Sequence, residues 1–218
     1  MDLTPFTRLF LGRRVKAIEK YATSTELIQR NVLKKLVSAS QSTEWGIKHG
    51  YAGLANYEMF AKSVGVQDYE TLKSYIERMR QGERDVLWKG RCHWFAKSSG
   101  TTNDKSKFIP VTGDGLKNVH YKGGADVVAC YLDINPASRL FSGKALILGG
   151  SHAPNYNLPG TLVGDLSAIL IENCSPFVNM MRVPGKDIAL LSDFEEKMDR
   201  IARATSNVNV TNLSGVPS

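Results

Sequence analysis

The chain has 218 residues, of which 42% are hydrophobic and 22% are charged. This balance is typical of an ordinary globular protein and excludes disordered and collagen-like classes. No apolar run reaches the roughly 18 residues of a membrane-spanning helix, and the N-terminus lacks a basic-then-apolar signal pattern. We therefore expect a cytoplasmic protein that does not enter a membrane. Its three widely spaced cysteines are expected to be reduced.

The formal net charge of +7 suggests a nucleic-acid partner until the charge is located. Residues 8–35 alone carry eight basic and two acidic side chains, whereas residues 92–218 have a net charge of only +1. A nucleic-acid-binding module stays open as an alternative, with the aromatic and basic run 88–95 as its stacking platform. Trp94 and Phe95 would point to opposite faces of a strand, however, which argues against that use. We expect no nucleic-acid partner.

Apolar residues at helical spacing predict that residues 1–90 form a helical N-terminal region. Thr23 and Glu26 match a capping box, in which two side chains satisfy free backbone N–H groups at a helix start. Asp68 is placed to cap a later helix. Gly82 follows that helix where a residue with positive φ is needed.

Residues 91–218 are predicted to be the first part of an α/β domain. Two short extended segments, 93–97 and 107–111, flank a polar loop, and Pro110 predicts that the second segment lies at a sheet edge. The later elements are, in order, a helix at about 114–132, a strand at 145–148, a helix at 162–171, a helix that begins at a Ser192 capping box, and a strand at 207–213. Strands that alternate with helices predict a parallel sheet.

The first of these helices contains Gly123-Gly124, and each glycine costs about 1 kcal/mol relative to alanine. Close packing against another element, a break between two shorter helices, and close approach of a ligand are three explanations. The sequence alone leaves all three open.

The polar loop between the extended segments is the part of the chain that indicates chemistry. Residues 98–102 supply four hydroxyl side chains and a glycine, and lysines follow at 105 and 107. Hydroxyl and backbone N–H groups can donate to phosphate oxygens, Gly100 allows close approach, and a lysine adds positive charge. A solvated turn is the alternative interpretation. The second glycine and the following helix of a Walker loop are missing, and neither a dinucleotide fingerprint nor a hydrolase elbow is present.

The pattern SSGTT-x4-K-x2-P, which spans Ser98 to Pro110, resembles the phosphate loop of the adenylate-forming superfamily. This superfamily includes acyl- and aryl-CoA synthetases and firefly luciferase. The flanking stretches DYETLKSYIERMRQGE and VNVTNLSGVPS are similar to the auxin-responsive family of acyl acid amido synthetases, especially its bacterial members. The resemblance implies the fold of their large N-terminal domain, a helical segment followed by part of a mostly parallel sheet with flanking helices.

The same resemblance implies a two-step ligase reaction that uses ATP and Mg²⁺. A carboxylic acid attacks the α-phosphate of ATP to give an acyl-adenylate and pyrophosphate. An amine, usually that of an amino acid, then displaces AMP and forms an amide. The loop cannot identify the acceptor, so an acyl- or aryl-CoA synthetase is the main alternative. Another alternative is a non-catalytic module that has this fold but does not carry out the reaction.

By this resemblance, six loop residues bind the phosphates of ATP: Ser98, Ser99, Gly100, Thr101, Thr102 and Lys107. Lys107 is also the implied catalytic residue, because its charge would stabilise the leaving pyrophosphate, and Lys105 is a weaker candidate. The acyl pocket of the superfamily lies at strand ends near the loop. Here that implies acyl-substrate contacts from His120, Ser151, His152, Ser214 and Gly215. No metal-ligating residue is implied.

Members of the resembling family run to more than twice 218 residues. We therefore expect this chain to be the front part of a longer enzyme, with the remaining C-terminal part of the same protein as its partner. The residues that hold adenine and ribose are expected in that remaining part. On this expectation, the isolated chain has little or no amide-forming activity.

Overall fold

The structure, a computed structural model, describes residues 2–98 and 106–215. The backbone divides into two compact units, the first formed by residues 1–17, 113–156 and 163–218, and the second by residues 18–112 and 157–162. A domain boundary at residue 90 stays a prediction. None of the helices in the described part of the chain combines the length and apolar character needed to cross a membrane.

The N-terminal part of the chain is helical, as predicted. Its helices are α1 (Thr4–Thr23), α2 (Thr25–Ser40), α3 (Glu44–Lys48), α4 (Tyr57–Val64) and α5 (Tyr69–Arg80). The capping box at Thr23 is wrong, because α1 runs through Thr23 and Ser24 precedes α2 without a side-chain cap hydrogen bond. The cap at Asp68 is confirmed, since its side chain accepts the N–H of Thr71, and Gly82 has the expected positive φ of 92°.

Strands β1 (Trp94–Lys97) and β2 (Phe108–Val111) form an antiparallel pair in the second unit. Both extended segments predicted around the polar loop are thus confirmed. β1 is the only described strand beside β2, so Pro110 lies on an edge strand, where its missing N–H costs no ladder bond.

The first unit contains a parallel sheet, which confirms the predicted α/β class. Its strand order is β5-β3-β6, and β3 pairs in parallel with both neighbours. The strands are β3 (Lys144–Leu148), β5 (Arg182–Val183) and β6 (Val210–Gly215), and a short β4 (Leu162–Gly164) lies between β3 and β5 in the chain. The helices around them are α8 (Leu166–Glu172), α9 (Pro176–Met181), α10 (Lys186–Ala189) and α11 (Phe194–Thr205). Apolar residues of this unit that are almost fully buried include Leu132, Val163, Ala168, Ile169 and Ala189.

Two predicted helix starts in this unit are wrong. Residues 162–164 form β4 rather than the first turn of a helix, and α8 begins only after Asp165. The capping residue of α11 is Asp193 rather than Ser192, since the Asp193 carboxylate accepts the N–H of Glu196 at 2.8 Å.

The helix predicted at 114–132 is observed as a continuous helical segment that changes its hydrogen bonding twice. It consists of α6 (Gly113–Gly115), a π-helical turn (Leu116–Tyr121) and α7 (Lys122–Ile134). Gly123 and Gly124 lie in the first turn of α7, one residue after the π turn. A methyl group added at either glycine would meet nothing within 4 Å among the described residues. Close packing among the described residues therefore does not explain the pair, and the helical segment is continuous here rather than broken into two shorter helices.

Candidate functional site

The loop between β1 and β2 is closed by the residues at its two ends. The N–H of Ser98 donates to the carbonyl oxygen of Lys107 at 2.9 Å, and the N–H of Lys107 donates to the Ser98 hydroxyl at 3.3 Å. These bonds extend the antiparallel ladder by one step and bring together the first and last residues of the predicted phosphate loop. Five predicted loop residues lie outside the described part of the chain: Ser99, Gly100, Thr101, Thr102 and Lys105.

Lys107 presents an exposed positive charge at the end of this loop. Its Nζ lies 5.3 Å from the ring centroid of Tyr69, within the range of a cation–π contact. Asp68 precedes Tyr69, and its pKa is lowered chiefly by the backbone N–H of Thr71, with a further contribution from the charge of Lys107. The ammonium group of the loop lysine thus lies over one aromatic ring.

The second candidate region is the carboxyl edge of the parallel sheet in the first unit. β3 and β6 pair up to their ends, with Ile147 opposite Ser214 and Leu148 opposite Gly215. The chain leaves β3 through two glycines and continues into Ser151 and His152. Four of the five predicted acyl-site residues therefore lie at one sheet edge. In α/β sheets, ligands bind at the carboxyl ends of the strands.

A buried lysine secures the turn that follows β3. The Nζ of Lys197, on α11, donates to the carbonyl oxygens of Gly149 at 2.7 Å and Gly150 at 3.0 Å. Burial lowers the pKa of Lys197, and the nearby negative charge of Asp165 partly opposes this effect. The carbonyl groups of the two glycines that follow β3 therefore both accept hydrogen bonds from the same amine.

The N–H groups of the same turn are satisfied from the start of α8. The Ser167 hydroxyl accepts the N–H of Gly150 at 2.8 Å, and the Asp165 carboxylate accepts the N–H of Ser151 at 2.9 Å. A Cβ atom at Gly150 would overlap the Asp165 side chain, so this position requires glycine. The backbone that carries Ser151 and His152 is therefore fixed by hydrogen bonds on both sides.

The two candidate histidines have different surroundings. The Nε2 of His152 lies 3.9 Å from one carboxylate oxygen of Glu172. The other carboxylate oxygen of Glu172 lies 3.7 Å from the Nζ of Lys186. His120 lies in the π turn, a feature that is often found at functional sites. The adjacent Tyr121 donates its hydroxyl to the Leu170 carbonyl at 3.0 Å, and burial raises its pKa to about 12.

Sequence reasoning missed Tyr69, Asp165 and Lys197. Lys197 could have been found from the sequence. It lies four residues before Ile201, and this spacing places it on the same helix face as a buried apolar residue. Tyr69 and Asp165 gave no such signal, since their contacts lie 39 and 14 residues away in the chain.

The family model described as the GH3 family N-terminal domain matches residues 14–215. The chain belongs to the GH3 family. The match includes the loop ends, the helix α5 behind them and the carboxyl edge of the parallel sheet.

Several curated GH3 proteins are similar to parts of the chain. Indole-3-acetic acid-amido synthetase GH3.15 of Arabidopsis thaliana is 32% identical over 101 residues, which cover 46% of this chain and 17% of that protein. The 4-substituted benzoates-glutamate ligase GH3.12 of the same plant is 27% identical over 107 residues, or 49% of this chain and 18% of that protein. Jasmonoyl–L-amino acid synthetase JAR6 of Nicotiana attenuata is 30% identical over 107 residues, or 47% and 18%. The aligned regions thus span less than a fifth of each relative.

Solved structures show the same fold. The GH3.15 acyl acid amido synthetase superposes with a TM-score of 0.69 at 23% sequence identity, over 86% of this chain and 32% of that one. The AtGH3.15 acyl acid amido synthetase in complex with 2,4-DB gives a TM-score of 0.62 at 24% identity, over 72% and 27%. The chain therefore corresponds to about a third of a solved family member.

Proposed function

We propose that this chain forms part of an ATP-dependent acyl acid amido synthetase. The observation that carries the proposal is the GH3 family match over residues 14–215, which includes both ends of the predicted phosphate loop. The proposed reaction activates a carboxylic acid as an acyl-adenylate and transfers it to the amine of an amino acid. The names of the relatives support this class, since they combine an acid with an amino acid or form an amide.

In this proposal, the β1–β2 loop binds the phosphates of ATP, and Mg²⁺ arrives with the nucleotide. Ser98 and Lys107 support the assignment, because their mutual hydrogen bonds bring the two ends of the loop together next to the paired strands β1 and β2. Ser99, Gly100, Thr101 and Thr102 complete the proposed set of donors. Lys107 neutralises the charge that develops on the pyrophosphate as it leaves, and this effect lowers the barrier to adenylation.

We also propose that the carboxyl edge of the parallel sheet contributes to the site of the carboxylic acid. Ser151, His152, Ser214 and Gly215 supply hydroxyl, imidazole and backbone groups there, and the bonds from Lys197 and Asp165 keep the turn after β3 in one conformation. A fixed turn supports this role, because preorganised polar groups lose little entropy when they bind a ligand. His120, in the π turn, is a further proposed contact.

The proposed partners are small molecules and the remaining part of a GH3 protein, without nucleic acid. The basic side chains of α1 include Arg14, which forms a bidentate pair with Asp126, with its Nε 2.6 Å from a carboxylate oxygen. The positive charge of Arg14 therefore takes part in an ion pair within the fold. A cytoplasmic location stays a prediction, and the three unpaired cysteines support it.

The experiment that tests the proposed function uses a protein of GH3 length that carries these 218 residues. Pyrophosphate release is measured with a panel of carboxylic acids, with and without amino acids, and with and without coenzyme A. We expect acid-dependent pyrophosphate release, and an amide product when an amino acid is present. A thioester product that requires coenzyme A would identify the protein as an acyl-CoA synthetase instead. No pyrophosphate release with any acid would refute the proposal.

A further inference from the structure

Tyr69, the first residue of α5, contacts the lysine end of the loop in two ways. Its hydroxyl oxygen accepts the backbone N–H of Phe108 at 3.0 Å. Its ring lies beneath the Nζ of Lys107, 5.3 Å from ring centroid to nitrogen. Lys107 and Phe108 are consecutive, so one side chain contacts both the backbone of the edge strand β2 and the ammonium group of the proposed phosphate-binding lysine.

The helix that carries Tyr69 is itself fixed against β2. At its start, the Asp68 carboxylate accepts a backbone N–H of the first turn at 2.8 Å. At its end, the guanidinium of the buried Arg80 lies over the Phe108 ring, 3.7 Å from the centroid. The Arg80 carbonyl accepts the hydroxyl of the buried Thr161 at 2.7 Å. Both ends of α5 therefore contact the first residue of β2, and Tyr69 projects from a supported helix.

The contact between Tyr69 and Lys107 has a consequence for anion binding. An exposed lysine samples many rotamers and loses this freedom when it binds an anion. A cation over the face of a tyrosine ring is attracted to it, which restricts those rotamers before any ligand arrives. Asp68, next to Tyr69, adds a negative charge that interacts with the charge of Lys107, which is a minor cause of the lowered pKa of Asp68 after the Thr71 hydrogen bonds. Lys107 is thus partly ordered ahead of phosphate binding.

We propose that Tyr69 is a positioning residue that holds Lys107 for the phosphate groups of ATP. The inference rests on the proposed function of the loop, and it adds a residue that lies outside the SSGTT-x4-K pattern. The ring acts on the ammonium group, while the hydroxyl fixes the backbone of β2. Tyr69→Phe keeps the ring and removes the hydroxyl, whereas Tyr69→Leu removes both, so the two variants separate the contacts.

The first arm of the test examines the unliganded chain by NMR after reductive methylation of lysines with ¹³C. We expect the Lys107 methyl resonance, assigned with Lys107→Arg, to be shifted by the Tyr69 ring and to show a nuclear Overhauser contact to its protons. The shift should persist in Tyr69→Phe and disappear in Tyr69→Leu. An unchanged Lys107 resonance in Tyr69→Leu overturns the inference. If Tyr69→Leu does not fold, absence of the Overhauser contact in the unmutated chain overturns it.

Tyr75 provides a matched control on the same helix. Its hydroxyl accepts from the Nζ of Lys48 at 2.8 Å, and its ring centroid lies 5.3 Å from that nitrogen. Tyr75→Leu therefore removes an equivalent lysine contact away from the loop. We expect it to change the Lys48 resonance and to leave the Lys107 resonance unchanged. A change of the Lys107 resonance in Tyr75→Leu would show that the readout reports on α5 as a whole and would overturn the specific role of Tyr69.

The second arm measures the affinity of magnesium pyrophosphate for the chain by calorimetry. We expect Tyr69→Leu to weaken binding about two- to fivefold, the range of an exposed cation–π contact, and Tyr69→Phe to recover most of the affinity. In a Lys107→Met background, Tyr69→Leu should have no further effect, because the two residues act together. An equal effect in both backgrounds overturns the inference. If the unmutated chain binds no pyrophosphate, the proposed function of the loop fails, while the NMR arm still shows whether Tyr69 holds Lys107.

Discussion

Lys107 is the loop residue whose loss should most affect adenylation. We expect Lys107→Ala to reduce the rate at least about tenfold, because one charge contact in the transition state is worth about 1.4 kcal/mol or more. The measurement is ATP–pyrophosphate exchange in a protein of GH3 length. Lys73→Ala is the control, since this lysine pairs with the exposed Glu70 on α5 and should be dispensable. A rate within twofold of the unmutated protein for Lys107→Ala would contradict the proposed role.

Lys197 should give the stability of the chain a distinct pH dependence. Burial lowers its pKa in the folded state, whereas in the unfolded chain the pKa is about 10.4. Between these two pKa values, the unfolded chain binds more protons than the folded chain, so the free energy of unfolding rises with pH. The uncharged amine still has two N–H groups for the carbonyls of Gly149 and Gly150.

We therefore expect Lys197→Met to lower the free energy of unfolding by about 1–3 kcal/mol, because two buried carbonyl groups lose their donor. The difference from the unmutated chain should grow as the pH rises toward about 10.4. Urea denaturation at a series of pH values measures it. Lys197→Gln keeps an NH2 group that can donate to these carbonyls and does not titrate, so it should lose less stability and also lack the rise. A pH-independent difference for Lys197→Met would contradict the explanation.

Helix ends and strands were predictable from the sequence where the determining contacts are local. Asp68 and Gly82 were placed correctly, because a cap and a positive φ depend on residues only a few positions apart. The predicted boxes at Thr23 and Ser192 were wrong. Ser24 precedes α2 without a side-chain cap hydrogen bond, and the carboxylate of Asp193 caps α11 in place of the neighbouring Ser192 hydroxyl. The π turn has no local sequence signal.

Two glycine substitutions should have opposite effects on the stability of these elements. Gly150→Ala would place a methyl group against the Asp165 side chain, and we expect a loss of about 1–3 kcal/mol. Gly124→Ala, in α7, meets nothing within 4 Å among the described residues, so we expect a gain of about 0.5–1 kcal/mol. Urea denaturation of both variants measures the changes. Destabilisation by Gly124→Ala would indicate that this helix face is packed against another part of the protein.

In the molecule as a whole, the candidate site was only partly predictable. The loop pattern identified Ser98 and Lys107, and the structure pairs these two residues. The strand-end candidates Ser151 and Ser214 are 63 positions apart, and their common edge follows from the register of β3 with β6. Register depends on contacts distant in the chain, which no local pattern specifies. The contact of Asp165 with the turn was missed for the same reason, whereas Lys197 was missed although its spacing to Ile201 gave a local signal.

Each proposed ligand should affect a different compact unit of the chain. Ser98, Lys107 and Tyr69 belong to the second unit, and Ser151 and Ser214 belong to the first. We therefore expect magnesium ATP to shift the amide resonances of the described loop ends and α5. A carboxylic acid that supports pyrophosphate release in the substrate panel should, at millimolar concentration, shift those of the parallel-sheet edge instead.

The basic segment at residues 8–35 complicates this mapping, because its surplus of six positive charges attracts any anion. Interactions between exposed charges are largely screened above about 0.15 M salt, where the Debye length is about 8 Å. We expect shifts in that segment to vanish in 0.5 M NaCl, while those of Lys107 with magnesium ATP and of Ser151 with the acid remain measurable. ATP shifts confined to the basic segment, and lost in salt, would show that the nucleotide binds by net charge alone and would refute the assignment of the loop.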